Sequence, residues 1–203
     1  MNLGILFSGG KDSGYALYKA SKENDIVVLI TIDSKNKDSF MFHTPINNAQ
    51  NLSNKLNIPL ITLETEGEKE KELEDLKRAI KKAKEDFKIE GIATGAIASN
   101  YQASRIQKIC DELDLSCLNP LWQKDQEELL RELVEKGFKI KIIKVAAEGL
   151  DESWIGKMLD NELIEKLLKL KERYGINIAG EGGEYESEVE EFPKDFLREF
   201  GKE

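Results

Sequence analysis

Short apolar runs alternate with longer amphipathic segments along the chain. Five runs have the apolar, β-branched character of strands: residues 3–7, 25–33, 58–64, 91–95 and 138–146. Helical spacing or capping residues mark six further segments: residues 13–24, 46–56, 68–88, 100–113, 125–137 and 160–175. Strands that alternate with helices favour right-handed crossovers between parallel strands. The pattern therefore predicts a doubly wound α/β fold with a mostly parallel five-stranded sheet.

The length of 203 residues predicts two parts. Since one domain takes about 150 residues, we expect a full α/β domain over residues 1–120 and a small C-terminal subdomain over residues 121–203. Ligands of doubly wound sheets bind beyond the carboxyl ends of the strands. The candidate site therefore comprises the loops at residues 8–13, 33–45 and 95–101, covered by a loop of the C-terminal subdomain.

Composition narrows the class of protein. Charged residues make up 34% of the chain, 30 of them basic and 39 acidic, for a net charge of −9. Nowhere do 18 uncharged apolar residues run together, and the first residues lack the basic flank of a secretory signal. We therefore expect a cytoplasmic protein with no membrane contact. Two cysteines, Cys110 and Cys117, and one histidine, His43, argue against a disulfide framework and a four-ligand zinc site.

The negative charge is concentrated near the C-terminus. Residues 181–203 carry nine acids and three bases, so residues 1–180 have a net charge of only −3. An acidic balance disfavours nucleic acid as a partner, although the nearly neutral remainder could still carry a basic patch. The acids begin inside a glycine-rich segment, residues 180–186, which is typical of a shaped binding loop or of a connector. Negative charge there suits a cation better than a phosphate.

The strongest chemical signal is the segment Ser-Gly-Gly-Lys-Asp-Ser at residues 8–13, between the first strand and the first helix. Two adjacent glycines allow a tight turn, and the start of the following helix collects unpaired N–H groups and positive dipole. Such a loop suits a multiply charged anion, with a plain strand-to-helix turn as the alternative. It is not a Walker A loop, because Ile5 and Asp12 stand at the defining positions, and it lacks the Gly-x-Gly-x-x-Gly spacing.

This segment resembles the pyrophosphate loop, Ser-Gly-Gly-x-Asp-Ser, of the N-type ATP pyrophosphatases, which cleave ATP between the α and β phosphates. Five further blocks, in this order, resemble the diphthine–ammonia ligase family: residues 39–45, 94–105, 120–126, 144–147 and 180–186. The resemblance implies an adenine nucleotide α-hydrolase-like, Rossmann-like fold and an ATP-dependent amide ligase. The substrate would be the diphthine side chain of translation elongation factor 2, whose carboxylate is adenylated and then amidated with ammonium to give diphthamide.

The resemblance also implies roles for the phosphate loop and its neighbours. Lys11, Asp12 and His43 would be catalytic, with His43 alternatively a surface hydrogen-bonding residue, and Asp12 would contact Mg²⁺. Free ammonium is the expected nitrogen source, and a homodimer is left open. The ATP site would comprise Ser8, Gly9, Gly10, Lys11, Asp12, Ser13, Thr31, Asp33 and Gly95.

Substrate contacts are expected in the loop after the fourth strand and in the glycine-rich segment. Arg105 could meet a phosphate or a carboxylate as a fork donor, or equally make a surface ion pair. The acids of the glycine-rich segment are expected to attract the trimethylammonium group of diphthine, helped by the ring of Tyr185. The expected substrate-binding residues are Ser99, Asn100, Tyr101, Arg105, Glu181, Glu184, Tyr185 and Glu186.

The sequence departs from the family pattern at one position, and two other functions remain as alternatives. Glu188 stands where the family pattern has an apolar residue, which puts a final strand after Tyr185 in doubt. A tRNA-modifying ATP pyrophosphatase is one alternative, although such enzymes commonly add a basic surface or catalytic cysteines. A regulatory protein that binds ATP without turning it over is the other.

Overall fold

The computed structural model describes residues 1–35, 46–68 and 71–200. Within these residues the chain forms seven strands, seven α-helices and one short 3₁₀ turn at Glu152–Trp154. In chain order the strands and helices are β1 Asn2–Leu6, α1 Lys11–Ala20, β2 Asp25–Ser34, α2 Ile46–Leu56, β3 Leu60–Thr65, α3 Lys71–Phe87, β4 Gly91–Ala93, α4 Asn100–Glu112, β5 Ser116–Leu118, α5 Gln126–Lys136, β6 Lys139–Val145, α6 Asn161–Tyr174, β7 Tyr185–Glu191 and α7 Lys194–Phe200.

The main sheet has five parallel strands in the order β3-β2-β1-β4-β5. Helices α1 and α2 pack with the C-terminal elements on one face, and α3 and α4 pack on the other. This arrangement confirms the predicted doubly wound α/β class. The chain leaves β1 in one direction towards β2 and β3, and later returns to its other side at β4. A crevice therefore opens at the carboxyl ends of β1 and β4, where doubly wound sheets bind their ligands.

The fifth strand of this sheet is not the predicted one. It is β5, a three-residue edge strand, whereas the predicted strand at residues 138–146 corresponds to β6, which pairs antiparallel with β7 in a separate two-stranded sheet. β5 was missed because Ser-Cys-Leu is too short to show a strand pattern. In β6, buried Ile140 and Ile142 alternate with exposed or half-buried lysines. This alternation is typical of a strand with one solvent-exposed face rather than of a strand buried on both faces.

The doubted final strand, β7, does form, and charge pairing explains its acids. Lys141 Nζ lies 2.7 Å from Glu188 and also pairs with Glu190 across the strands. On the opposite face of β7, Val189 is fully buried. Since cross-strand pairs of opposite charge stabilise a sheet, Glu188 is tolerated where an apolar residue was expected.

The predicted helix ends near the C-terminus are confirmed in detail. Asp125 caps α5 by accepting a hydrogen bond from the Glu128 amide at 3.0 Å, and Asp160 caps α6 by accepting one from the Leu163 amide at 2.7 Å. Both helices end at a glycine with positive φ, Gly137 and Gly175.

Aromatic packing joins the C-terminal elements to the first helix. Phe138 contacts the rings of Tyr15 and Tyr18 on α1, at centroid distances of 5.7 and 5.5 Å, and Phe196 of α7 lies 5.5 Å from Tyr18. One apolar cluster therefore runs across both predicted parts of the chain, and the boundary at residue 120 stays a prediction. No helix among the described residues combines the length and apolarity needed to cross a membrane.

Candidate active site

A cleft of about 560 Å³ opens at the carboxyl ends of β1, β2 and β4, within the size range of small-molecule sites. Its walls come from four separated segments: the phosphate loop (residues 8–13), the end of β2, the loop after β4 and the glycine-rich segment (residues 180–186). Leu76 of α3 and Ile106 of α4 add apolar surface. The structure thus brings together loops that are as far as 170 residues apart in the sequence.

The phosphate loop is held open by its own side chains and leads into an uncapped helix. Gly9 has a φ of +81°, which favours glycine. The hydroxyl of Ser13 accepts a hydrogen bond from the Ser8 amide at 3.2 Å and donates to the Gly10 carbonyl at 3.1 Å. Among the described residues, no side chain caps the start of α1 at Gly10. The amides of the first turn are therefore available to an anion in the cleft.

The loop after β4 touches the backbone of α1 at Gly95. A Cβ atom placed there would lie 2.8 Å from the Asp12 carbonyl carbon and 2.8 Å from the Ser13 amide nitrogen. Neither backbone atom can yield as a flexible side chain would. Gly95 therefore sets how closely the β4 loop approaches the phosphate loop.

Lys11 brings a buried cation into the cleft. Its side chain is 4% exposed, and its Nζ lies 2.8 Å from Asp12 Oδ2 and 5.5 Å from the ring centre of Tyr185. Burial alone would lower the pKa of Lys11, but the hydrogen-bonded Asp12 carboxylate, the neighbouring Tyr185 side chain and the Glu181 carboxylate leave it above its ordinary value. Lys11 is therefore positively charged at neutral pH, facing a space that suits phosphate.

Asn48 of α2 joins the phosphate loop to β7. Its Nδ2 donates to the carbonyl oxygens of Gly9 and Val189, each at 3.1 Å. The Val189 amide also donates to the Gly9 carbonyl, at 2.8 Å. A strand of the C-terminal part thus contacts the phosphate loop directly.

The three acids of the glycine-rich segment have different environments. Glu184 accepts hydrogen bonds from the amides of Asn177 at 3.0 Å and Gly182 at 2.8 Å, and so holds the segment in shape. Glu186 is paired with Lys144 at 2.7 Å. Glu181 lines the cleft and makes no ion pair with any described residue.

Tyr185 is part of the cleft wall rather than an exposed aromatic face. Its side chain is 5% exposed, and its hydroxyl donates to the Ile178 carbonyl at 2.8 Å. Burial raises the pKa of Tyr185 to about 12, so the hydroxyl remains a donor at neutral pH. Lys11 lies over the ring. A trimethylammonium group would therefore not find the ring face that was expected for it.

The cleft contains eleven of the predicted site residues. They are Ser8, Gly10, Lys11, Asp12, Ser13, Thr31, Gly95, Ser99, Glu181, Tyr185 and Glu186. Six others lie outside its lining, and their contact with a ligand stays a prediction: Gly9, Asp33, Asn100, Tyr101, Arg105 and Glu184. His43 lies outside the described residues.

Helical periodicity explains which residues of α4 line the cleft. Ser99, Gln102 and Ile106 follow one another at spacings of three and four residues and face the cleft. Tyr101 and Arg105 occupy another row of the helix, where the Arg105 guanidinium carbon lies 3.4 Å from the Tyr101 ring centre. Arg105 lines a separate surface groove between α3 and α4. Counting helical positions from Ser99 would have found Gln102, whereas nothing in the sequence indicated Asn48.

The comparison with protein families matches both parts of the chain. The family model described as the diphthamide synthase N-terminal domain matches residues 1–117, and the one described as the diphthamide synthase C-terminal domain matches residues 125–194.

Individual relatives agree with this match. The chain is 38% identical over 211 residues to the mouse diphthine–ammonia ligase and 36% identical to the human one, covering 92% of this chain and 78% of each relative. It also shares its fold with a predicted subunit of a tRNA methyltransferase from Methanocaldococcus jannaschii, at a TM-score of 0.50 and 20% identity, covering 96% of this chain and 99% of that one. The chain therefore belongs to the diphthamide synthase family.

Proposed function

We propose that the protein is an ATP-dependent amide ligase that adenylates the diphthine carboxylate of translation elongation factor 2 and amidates it with ammonium. The products would be diphthamide, AMP and pyrophosphate. The observation that most supports this proposal is that three features line one cleft: Lys11, the start of α1, which no described side chain caps, and the glycine-rich segment. The relatives of the chain are named for this reaction.

ATP fits the cleft through two kinds of surface. The phosphate loop, residues 8–13, supplies backbone amides and the Lys11 cation for the phosphates. Four apolar side chains that line the same cleft suit the adenine ring: Ile30, Ile32, Leu76 and Ile106. Thr31 and Gly95 line the cleft as well. Asp33 lies further along β2 than this lining.

The donor set around Asp12 fits Mg²⁺. Asp12 Oδ1 is buried and has no hydrogen-bond partner among the described residues, and Mg²⁺ prefers such oxygen ligands. No group of three or more metal-binding side chains occurs in the described part of the chain. Phosphate oxygens and water would therefore complete the coordination, as is usual for this ion. When bound, Mg²⁺ neutralises charge on the phosphates.

The chemistry needs no protein nucleophile. A diphthine carboxylate oxygen attacks the α-phosphorus, and pyrophosphate leaves towards the phosphate loop. Lys11 and the amides of α1 stabilise the charge that develops on the leaving group, which is the main contribution a protein makes to phosphoryl transfer. Nitrogen then attacks the acyl carbon, and AMP leaves.

The protein substrate indicates the cellular compartment of the reaction and the surface that contacts it. Elongation factor 2 acts on ribosomes, so we propose the cytoplasm as the compartment and a transient contact between the factor and the rim of the cleft. The glycine-rich segment, with exposed Gly182 and Gly183, lies at this rim.

Incubating the protein with ATP, ammonium chloride and diphthine-bearing elongation factor 2 tests the proposal. We expect AMP, pyrophosphate and diphthamide to form in equal amounts, measured by chromatography and by mass spectrometry of the factor. Omitting ammonium or replacing the factor with bulk tRNA should abolish product. Formation of ADP, or AMP release that depends on tRNA, would contradict the proposed function.

Asn48→Ala should weaken ATP binding and lower the free energy of unfolding by about 1–3 kcal/mol, because the Gly9 and Val189 carbonyls each lose the Asn48 donor and only the Val189 amide still bonds to Gly9. The KM for ATP and chemical unfolding measure the two effects. Asn47→Ala is the matched control, since Asn47 is the exposed neighbour on the same helix. If both variants behave alike, Asn48 does not hold the phosphate loop.

A further inference from the structure

One carboxylate in the cleft has no cationic partner among the described residues. Asp12 is paired with Lys11 at 2.8 Å, Glu186 with Lys144 at 2.7 Å, and Glu184 binds two backbone amides of its own segment. From the described residues, Glu181 receives a single hydrogen bond, from the Ala98 amide, 3.3 Å from its Oε2. No hydrogen bond or ion pair joins it to Asp12 or to a described cation.

The Ala98 contact places Glu181 beside the reacting groups. Ala98 belongs to the loop after β4, in which Gly95 touches the backbone of Asp12 and Ser13. The α-phosphorus of ATP and the carboxylate that attacks it must lie near this junction if pyrophosphate leaves towards the phosphate loop. Glu181 and the phosphate loop therefore line the same cleft.

Amide formation from ammonium requires a proton acceptor. In neutral water ammonia is almost entirely ammonium, which has no lone pair with which to attack carbon. A carboxylate can hold ammonium by charge-assisted hydrogen bonds and then remove one proton. Trimethylammonium has no N–H to donate and prefers an aromatic face, and the Tyr185 face is already occupied by Lys11. The Glu181 carboxylate thus suits ammonium better than the diphthine cation.

We infer that Glu181 is the catalytic residue that binds ammonium in the cleft and accepts its proton. The inference rests on the proposed function. A proton passes from ammonium to the Glu181 carboxylate, and the freed lone pair bonds to the acyl carbon of the acyl-adenylate. The carbon–oxygen bond to AMP then breaks, its electron pair leaves with AMP, and the second proton passes from nitrogen to water.

The electrostatic surroundings of Glu181 agree with this role. Burial raises the pKa of Glu181, and the negative charges of Asp12 and Glu184 raise it further, against the opposing effects of Lys11 and the Ala98 amide. A carboxylate with a raised pKa is a stronger base than a fully solvated one. With ammonium as the nitrogen source, activity should therefore fall as the pH drops through the pKa of Glu181.

Hydroxylamine separates proton removal from every other function of the residue. It is largely uncharged at neutral pH, so it attacks an acyl-adenylate without losing a proton first. Glu181→Gln should lower kcat with ammonium by about 100-fold or more, while the rate of hydroxamate formation from hydroxylamine stays near that of the unaltered protein. The glutamine keeps an oxygen to accept from Ala98. Glu191→Gln, an exposed acid on β7, is the matched control and should be active with both.

ATP–pyrophosphate exchange with diphthine-bearing elongation factor 2 isolates adenylation and reports that the site is folded. We expect equal exchange in Glu181→Gln and in the unaltered protein. If Glu181→Gln loses exchange, or slows equally with ammonium and hydroxylamine, the residue is not the proton acceptor. If the unaltered protein itself shows neither exchange nor hydroxamate, the proposed function fails instead.

Discussion

Lys11→Met should reduce AMP formation by about 100-fold or more, the usual loss when a charge-stabilising group is removed from a transition state. Lys11 is the buried cation of the cleft, and its ammonium group lies beside Asp12. Methionine fills a similar volume without the charge. The variant therefore loses the stabilisation of the leaving pyrophosphate and also leaves the Asp12 carboxylate without its partner, where it would repel phosphate.

Two measurements check this expectation. The rate of AMP release at saturating ATP should fall, and the KM for ATP should rise because Lys11 also contacts the phosphates of bound ATP in the proposed arrangement. Lys22→Met is the matched control, since Lys22 lies just beyond the other end of α1 and pairs with Glu199 at 3.7 Å. A Lys11→Met variant as active as this control would remove Lys11 from the proposed mechanism.

Gly95→Ala should nearly abolish ATP binding and turnover. The added methyl group would lie 2.8 Å from two backbone atoms of α1, at Asp12 and Ser13, so the β4 loop and the phosphate loop must separate by several tenths of an ångström. Misplacement of about 1 Å in a site can cost about 100-fold in rate. The crowding should also lower the free energy of unfolding by about 1–3 kcal/mol. Isothermal titration with ATP and chemical unfolding measure both effects.

Gly156→Ala distinguishes crowding from backbone strain. Gly156 has a φ of +85° but open space around its Cα, so alanine there should cost about 1–2 kcal/mol of stability and leave ATP binding unchanged. If Gly95→Ala binds ATP as tightly as this control does, the close approach of the two loops is not required for the site.

Local rules predicted much of the fold. The capping residues Asp125 and Asp160 and the terminating glycines Gly137 and Gly175 lie where the sequence indicated, because a helix end is satisfied by side chains within a few residues of it. The phosphate loop was found for the same reason, since its glycines and its helix start are adjacent in the chain. The exchange of β5 for β6 has a different cause: strand pairing depends on distant partners that a local apolar run does not identify.

The structure brings predicted site residues together where they belong to one loop, and separates them where side-chain direction decides. Tyr101 and Arg105 lie on α4 in a different row from the residues that line the cleft, and Glu184 binds the amides of its own segment. Sequence proximity to a motif does not tell which way a side chain points.

The sequence by itself determined the phosphate loop, the alternation of strands and helices, and the family of this protein, because each of these follows from short-range pattern. Only the tertiary structure decided that β7 contacts the phosphate loop through Asn48 and that Lys11 lies over Tyr185. It also decided that, of the acids of the glycine-rich segment, Glu181 alone has no polar partner beyond the Ala98 amide within the described ranges. The contacts of Asn48 with Val189 and of Ala98 with Glu181 join residues separated by more than 80 positions, and they exist only after the chain has folded.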